Sequence, residues 1–167
     1  MKIELTLKDL ILFVTYYSSD YGRAGSCLVT RLHKVLFIIK MLFKRLLKNI
    51  PEPEPGPYGP YFKDVSNELN ELVSEGLVEV HEIERYRESD KDTGIIKYII
   101  LTDKGMFKVK EMISKLQEIE EGFRLLNDIR KYASMRLWDL IALIYFLYPE
   151  YTEKSRIKDR VRVYKYA

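Results

Sequence analysis

The fold is decided by residues 61–105, YFKDVSNELNELVSEGLVEVHEIERYRESDKDTGIIKYIILTDKG. Apolar side chains recur every three or four positions over about Tyr61–Glu75, which predicts an amphipathic helix. Gly76 supplies the left-handed residue that commonly ends a helix. Two segments rich in β-branched residues, Leu77–Arg87 and Ile95–Leu101, then flank a turn-forming SDKDTG. This pattern predicts a β-hairpin after the helix.

Three further helices surround this stretch. Thr6 is the predicted N-cap of a first helix over Thr6–Tyr17, and apolar spacing predicts a longer second helix over Leu28–Lys48. Thr102 is the predicted N-cap of a fourth helix, which begins at Asp103. The order helix, helix, helix, strand, turn, strand, helix is typical of a winged helix–turn–helix. We therefore predict a mostly α-helical protein with a small β-hairpin.

The predicted second helix has an apolar arc and an opposite basic arc. The basic arc has no acidic residue and consists of Arg31, Lys34, Lys40, Lys44, Arg45 and Lys48. Phe37 and Met41 fall on this basic side, where they are candidates for a contact surface. Five of the six prolines follow in Ile50–Pro60, which predicts a stiff extended connector to the third helix.

Composition limits the class of protein. The chain has 167 residues, of which 47% are hydrophobic and 32% are charged, so it can bury a core and is not intrinsically disordered. A single cysteine, Cys27, excludes a disulfide framework. The chain has no signal-peptide pattern and no apolar run of the roughly 20 residues that span a bilayer. We therefore expect a cytoplasmic protein without a membrane partner.

Charge is unevenly distributed along the chain, although the net charge is only +3. Residues 1–50 have nine basic and three acidic side chains, a net charge of +6. Residues 51–122 have nine basic and 17 acidic side chains, a net charge of −8, and residues 123–167 have ten and five, a net charge of +5. Both ends are therefore candidates for contact with a polyanion, and the middle is not.

Three segments resemble a known family. They are RLHKVLFIIK (Arg31–Lys40), YGPYFKDVSNELNELVSEGLV (Tyr58–Val78) and YIILTDKG (Tyr98–Gly105). Together they resemble the uncharacterised YwgA-type winged-helix proteins and, more distantly, Panacea-type antitoxin domains. The resemblance covers about residues 28–105 and implies a winged-helix fold. His33 stands where this family usually has Gln, and Phe62 stands where Ser is common.

The last third of the chain has a seam of apolar residues at alternating three- and four-residue steps, with an expected break near Gly122 or within Asn127–Ser134. Leu137–Tyr148 is apolar on nearly every face and must be enclosed, which a homodimer achieves more easily than a monomer. Asp139 within it is expected to pair with an arginine. The predicted dimer interface consists of Leu116, Ile119, Phe123, Leu137, Leu140 and Ile144. We predict a winged helix–turn–helix domain over 1–121 and a helical extension with a basic C-terminal segment over 122–167.

No pattern of catalytic residues stands out. The sequence has no Gly-rich phosphate loop, no HExxH, no GxSxG and no paired-carboxylate signature. His33 and His81 lie on different predicted elements without neighbouring metal ligands. Cys27 near the start of a helix is typical of a small buried residue rather than of a nucleophile. We expect no enzymatic activity, no metal and no cofactor.

The third helix has a polar stripe opposite its apolar one, formed by Lys63, Asn67, Asn70 and Ser74. Asn can pair bidentately with adenine, and Lys can reach guanine or phosphate, so these are the candidate base contacts of a DNA-binding protein. Arg31, Lys34, Arg160 and Arg162 are the candidate phosphate contacts. The predicted function is a dimeric winged-helix regulator that binds duplex DNA. The alternative is a protein-interaction module, antitoxin-like or an assembly subunit, that uses Phe37, Met41 and the acidic flank of the third helix.

Overall fold

The computed structural model describes residues 3–85 and 94–155. The α-helices of these residues are α1 (Leu7–Tyr16), α2 (Val29–Leu42), α3 (Val65–Ser74), α4 (Asp103–Leu116), α5 (Glu120–Ala133) and α6 (Leu137–Leu147). The strands are β1 (Ser26–Leu28), β2 (Glu54–Gly56), β3 (Gly59–Tyr61), β4 (Val78–Arg85) and β5 (Gly94–Leu101). A short 3-10 helix, Pro149–Tyr151, follows α6. The chain is a mixed α/β protein in which helices predominate.

Both predicted N-caps are confirmed. The Thr6 hydroxyl accepts a hydrogen bond from the Asp9 N–H at 3.2 Å, and the Asp9 carboxylate accepts one from the Thr6 N–H at 3.0 Å. This capping box pairs amide groups that have no partner within α1. The Thr102 hydroxyl accepts a hydrogen bond from the Gly105 N–H at 3.0 Å and defines the start of α4.

Helix α2 ends at Leu42, six residues before the predicted end at Lys48. The buried Lys40 explains the early end, because its Nζ donates to the carbonyl oxygens of Leu47 at 2.7 Å and Ile50 at 2.8 Å. These bonds hold the chain after α2 in turns that fold back on the helix. Leu47 and Ile50 are buried there, so the apolar periodicity continues although the helix does not.

The proline-rich segment forms a hairpin rather than a plain connector, because β2 and β3 pair antiparallel. Gly59 in its turn has a φ of +95°, and a Cβ at this position would lie 3.1 Å from the Tyr145 ring. Only glycine fits both conditions. The hairpin includes Tyr61, the first residue of the predicted third helix, and α3 begins only at Val65.

The predicted β-hairpin is confirmed as β4 and β5, which pair from Val78 opposite Leu101 to Arg85 opposite Gly94. β1 lies along the other edge of β5, so the order in this three-stranded sheet is β1-β5-β4. Sequence periodicity gives no sign of β1, because alternation cannot be seen over three residues. Gly76, with a φ of +74°, connects α3 to the sheet as expected.

The helices of the last third are separated at residues 117–119 and 134–136. The first break lies close to Gly122, as expected. A Cβ on Gly122 would lie 2.3 Å from the Leu116 carbonyl oxygen, so glycine lets α4 and α5 meet in a tight turn.

One buried core cluster includes side chains from all six helices and from both sides of the predicted boundary between 121 and 122. Leu140 and Ile144 are fully buried and Leu116 is 8% exposed within the chain itself. The predicted dimer interface is therefore wrong at these three residues, which the monomer's own helices enclose. The remaining predicted interface residues are exposed or partly exposed: Ile119, Phe123 and Leu137.

Two expectations about solvent exposure are wrong. Phe37 is fully buried, because the rings of Tyr148 and Tyr151 pack against it at centroid distances of 5.1 and 4.8 Å. It therefore offers no contact surface. Asp139 is exposed, so it needs no buried arginine partner, and the neighbouring Trp138 is 53% exposed. Among the described helices, none combines the length and apolar character needed to cross a bilayer.

Candidate nucleic-acid interface

The polar stripe of α3 lies on the surface, as the sequence predicts. Lys63, Asn67, Asn70 and Ser74 are all exposed. Their placement follows from the opposite face of the helix, where Val65, Leu69 and Leu72 are buried in the core. The Ser74 hydroxyl donates to the Asn70 carbonyl oxygen at 3.0 Å, so it is occupied by its own helix. The Asn67 and Asn70 side chains make no such bond and can meet a ligand.

The acidic flank of α3 is partly neutralised by α1. The Lys8 Nζ lies 2.6 Å from a Glu71 carboxylate oxygen and 2.7 Å from a Glu75 carboxylate oxygen. The hydrogen bond from Lys8 lowers the pKa of Glu75, and Lys8 has a raised pKa for the same reason. Lys104 also donates to the Glu75 carbonyl oxygen at 2.8 Å. The basic partner of this flank is thus α1 and not the predicted basic arc of α2.

Two predicted phosphate contacts are wrong because their side chains are buried. Arg31 is 7% exposed, pairs with Asp20 at 2.8 Å and donates to the carbonyl oxygen of Ala133 at 3.2 Å. Lys34 is 2% exposed and donates to the Pro60 carbonyl oxygen at 3.1 Å. Each cation binds an element that lies far away in sequence, so neither can reach the phosphate backbone of a duplex from its present position.

Other cations of the basic arc lie in the loop 43–51 that follows α2, where Lys44 and Lys48 line a cleft with Tyr151. Asn49 of this loop and Asn67 of α3 line the same surface cleft, of about 410 Å³. Three loop cations are exposed: Lys44, Arg45 and Lys48. The apolar periodicity predicts that these three residues belong to the second helix, and the predicted phosphate contacts of that helix are Arg31 and Lys34 instead. The sequence signal that could have identified them is their shared positive charge in a segment without an acidic residue.

The remaining parts of the predicted interface are the C-terminal segment and the β4–β5 hairpin. Arg160 and Arg162 lie outside the described residues. The described part of the β4–β5 hairpin is acidic along β4, where the exposed residues include Glu79, Glu82 and Glu84. The Glu79 carboxylate lies 3.1 Å from a His81 ring nitrogen, and Glu82 lies 3.5 Å from Lys97. This surface repels rather than attracts a phosphate backbone.

Two of the family-like motifs bind each other at the base of the β2–β3 hairpin. The Phe62 N–H donates to His33 Nδ1 at 3.0 Å, next to the bond between Lys34 and Pro60. Burial and the neighbouring Lys34 charge lower the pKa of His33 to about 4, so the ring is neutral near pH 7 and can accept this bond. The Gln that is usual in the family would offer the same acceptor through its side-chain oxygen.

The burial of His33 makes stability dependent on pH. Because the pKa of His33 is about 4 in the folded chain and about 6.5 when unfolded, the unfolded state takes up a proton first as pH falls. The contribution of the neutral His33 ring to the free energy of unfolding is fully present above about pH 6.5. About 3 kcal/mol of this contribution is lost between about pH 6.5 and about pH 4. We expect H33Q to keep the fold and to remove this loss, as measured by urea unfolding at both pH values. Equal losses in both proteins would contradict this assignment.

Cys27 is fully buried, and burial raises the pKa of its thiol to about 12, as expected for a structural cysteine. In the parts of the chain that the structure describes, no three His, Cys, Asp or Glu side chains come together in a way that could hold a metal ion.

A scan of protein-family models found no match to the chain, and a search of curated proteins found none either. The resemblance to the YwgA-type proteins thus depends on its three motifs alone.

Proposed function

We propose that the chain is a winged helix–turn–helix protein that binds duplex DNA through α3 and acts as a dimeric transcriptional regulator. The element order supports this fold, since α1, β1, α2 and α3 are followed by the β4–β5 hairpin. The strand order β1-β5-β4 also supports it, because the hairpin is then extended by the short strand that precedes α2. In this arrangement α3 is the recognition helix.

The observation that carries the proposal is the exposed polar stripe of α3, whose Asn67 lines a cleft with Asn49 of the loop 43–51, a loop that also has three exposed cations. Asn67 and Asn70 can each pair bidentately with an adenine in the major groove, and Lys63 can reach guanine or phosphate. Lys44, Arg45 and Lys48 supply the phosphate contacts in place of the buried Arg31 and Lys34. In this proposal Arg160 and Arg162 keep their predicted role in the basic C-terminal segment.

The experiment is a salt titration of binding to a random-sequence duplex, followed by fluorescence anisotropy. The logarithm of the affinity falls with the logarithm of salt concentration by about 0.9 for each phosphate neutralised. K44Q/R45Q/K48Q should therefore reduce this slope by up to about 2.7. The matched control is K110Q/K115Q/K131Q, which removes three exposed charges from α4 and α5 and should change the slope much less.

The second arm of this experiment separates reading of bases from attraction to phosphates. N67A/N70A is expected to weaken binding to duplexes selected from a random library, by about 1–3 kcal/mol for each lost bidentate pair. Its affinity for random duplex should stay that of the original protein. Negligible binding even at low salt, or equal loss in the control triple variant, would reject the DNA proposal.

The second candidate is a protein-interaction module without DNA binding, and one surface favours it. Ile95 of β5 is 58% exposed and Trp138 of α6 is 53% exposed, and both line a groove of about 340 Å³ between these elements. Leu137 lines the same groove. Large exposed apolar residues around a groove are typical of an association surface. In the proposed dimer, the interface would be formed by this groove and not by Leu140 and Ile144, which are buried within the chain.

A further inference from the structure

Lys34 is a buried cation without a carboxylate partner. Its Nζ donates one hydrogen bond, to the uncharged Pro60 carbonyl oxygen. Over the described residues 3–85 and 94–155, no carboxylate oxygen lies within 4.0 Å of it. The two other buried cations of α2 do have such partners: Arg31 pairs with Asp20 at 2.8 Å, and Lys40 with Glu52 at 3.5 Å. Burial of an uncompensated charge is costly, and such groups cluster at functional sites.

This lysine lies at a surface cleft of about 280 Å³ between α2 and the turn of the β2–β3 hairpin. The cleft wall is mainly apolar and includes Val29 and Pro57. Tyr58 and Tyr61, which are 56% and 37% exposed, add two aromatic rings from the hairpin. Small-molecule sites have volumes of about 300–1,000 Å³ and combine apolar walls with few polar groups, so this cleft, just below that range, suits a ligand of about one ring.

The walls of the cleft are held in place by the surrounding chain. Gly59 packs so closely that a Cβ would lie 3.1 Å from the Tyr145 ring and 3.5 Å from Lys34 Cε. The bond between the Phe62 N–H and His33 ties the end of the hairpin to α2. A cleft that is already formed loses little conformational entropy when a ligand binds.

We propose that this cleft binds a small carboxylate with a planar, aromatic body, whose anionic group supplies the missing counter-charge of Lys34. The carboxylate would accept a charge-assisted hydrogen bond from the ammonium group, and the ring would stack on Tyr58, the more exposed of the two tyrosines. A phosphate dianion is a poorer match, because the cleft provides one cation for two negative charges. This inference stands independently of DNA binding, since none of its residues lies on α3.

Binding should depend on the charge of Lys34. Burial lowers the pKa of Lys34 to about 8, so its amine loses the proton at a lower pH than an exposed lysine. A bound carboxylate stabilises the protonated form and raises this pKa. By linkage, the affinity falls about tenfold for each pH unit above about pH 8. A ligand held by apolar contact alone would show no such fall.

The test uses benzoate as the probe and benzamide as its neutral counterpart, with binding followed by NMR titration of the full chain. Benzoate should shift the amide signals of Val29, Tyr58 and Gly59, and should bind at least about tenfold more tightly than benzamide. K34M should abolish this preference, and NMR of labelled lysine should show that benzoate, but not benzamide, raises the pKa of Lys34 in the wild-type protein. Equal affinity for the two probes, no saturable shift, or an unchanged preference in K34M would each overturn the proposal.

A second variant tests the same cleft without changing a buried residue, so the test does not depend on the folding of K34M. Tyr58 is more than half exposed, so Y58A leaves the core intact and should weaken benzoate binding through the loss of one ring. The matched control Y21A removes a tyrosine that is 44% exposed and does not line this cleft. Benzoate binding that is unaffected by Y58A would place the probe elsewhere and reject the site.

Discussion

Arg31→Met is expected to lower the free energy of unfolding by about 3–5 kcal/mol, because it removes one partner of a buried ion pair. The Asp20 carboxylate would remain 11% exposed, with only its bond from the Leu28 N–H at 2.8 Å. The carbonyl oxygens of Ala133 and Met135 would lose their shared donor as well. Urea unfolding near neutral pH, compared with the wild-type protein, measures the loss.

Two comparisons separate this effect from the loss of any arginine. Arg124 lies exposed on α5, so Arg124→Met should change stability by no more than about 0.5 kcal/mol. The double variant D20N/R31M removes both charges, and it should be less destabilised than the sum of the two single variants. Strict additivity, or a small effect of Arg31→Met, would show that this ion pair does not hold α2 against the loop between α1 and β1.

The burial of Arg31 also shows where sequence reasoning fails. Periodicity and capping residues predict the positions of the helices and of the β4–β5 hairpin, because these patterns are local. The basic arc of α2 has the appearance of a solvated helix face. The buried residues of this arc donate hydrogen bonds to distant carbonyl oxygens instead: Arg31 to that of Ala133, and Lys34 to that of Pro60. No local pattern encodes acceptors 102 and 26 residues away.

The ends of α2 and α3 are mispredicted for the same reason. Leu47 continues the apolar spacing of α2, yet its carbonyl oxygen accepts from Lys40 outside the helix. Phe37 is enclosed by Tyr148 and Tyr151, which lie more than 100 residues further along the chain. The stripe of Asn67 and Asn70 is predicted correctly because helical phase alone decides which residues oppose Leu69 and Leu72. The positions of the cations in loop 43–51 depend on where α2 ends and could not be assigned from the sequence.

Gly105→Ala should destabilise the fold, although it improves the helix propensity of α4. Alanine is favoured over glycine within a helix by about 1 kcal/mol, so local reasoning predicts stabilisation. A Cβ at Gly105, however, would lie 2.0 Å from the Leu77 carbonyl oxygen and 2.9 Å from its carbonyl carbon. These backbone atoms are fixed, because the Thr102 N–H donates to the same oxygen at 3.1 Å. We expect a net loss of at least about 3 kcal/mol, measured by urea unfolding.

Gly22→Ala is the matched control, because a Cβ there meets no atom within 4 Å and only the φ of +74° opposes it. Its expected loss of about 1–2 kcal/mol is the cost of a left-handed alanine without a clash. A larger loss at Gly105, whose backbone is helical, isolates the steric contact between α4 and the chain that leads from α3 into β4. A stabilised Gly105→Ala would mean that this contact is absent, and that α4 does not hold the carboxyl end of α3 in the position the proposed recognition helix requires.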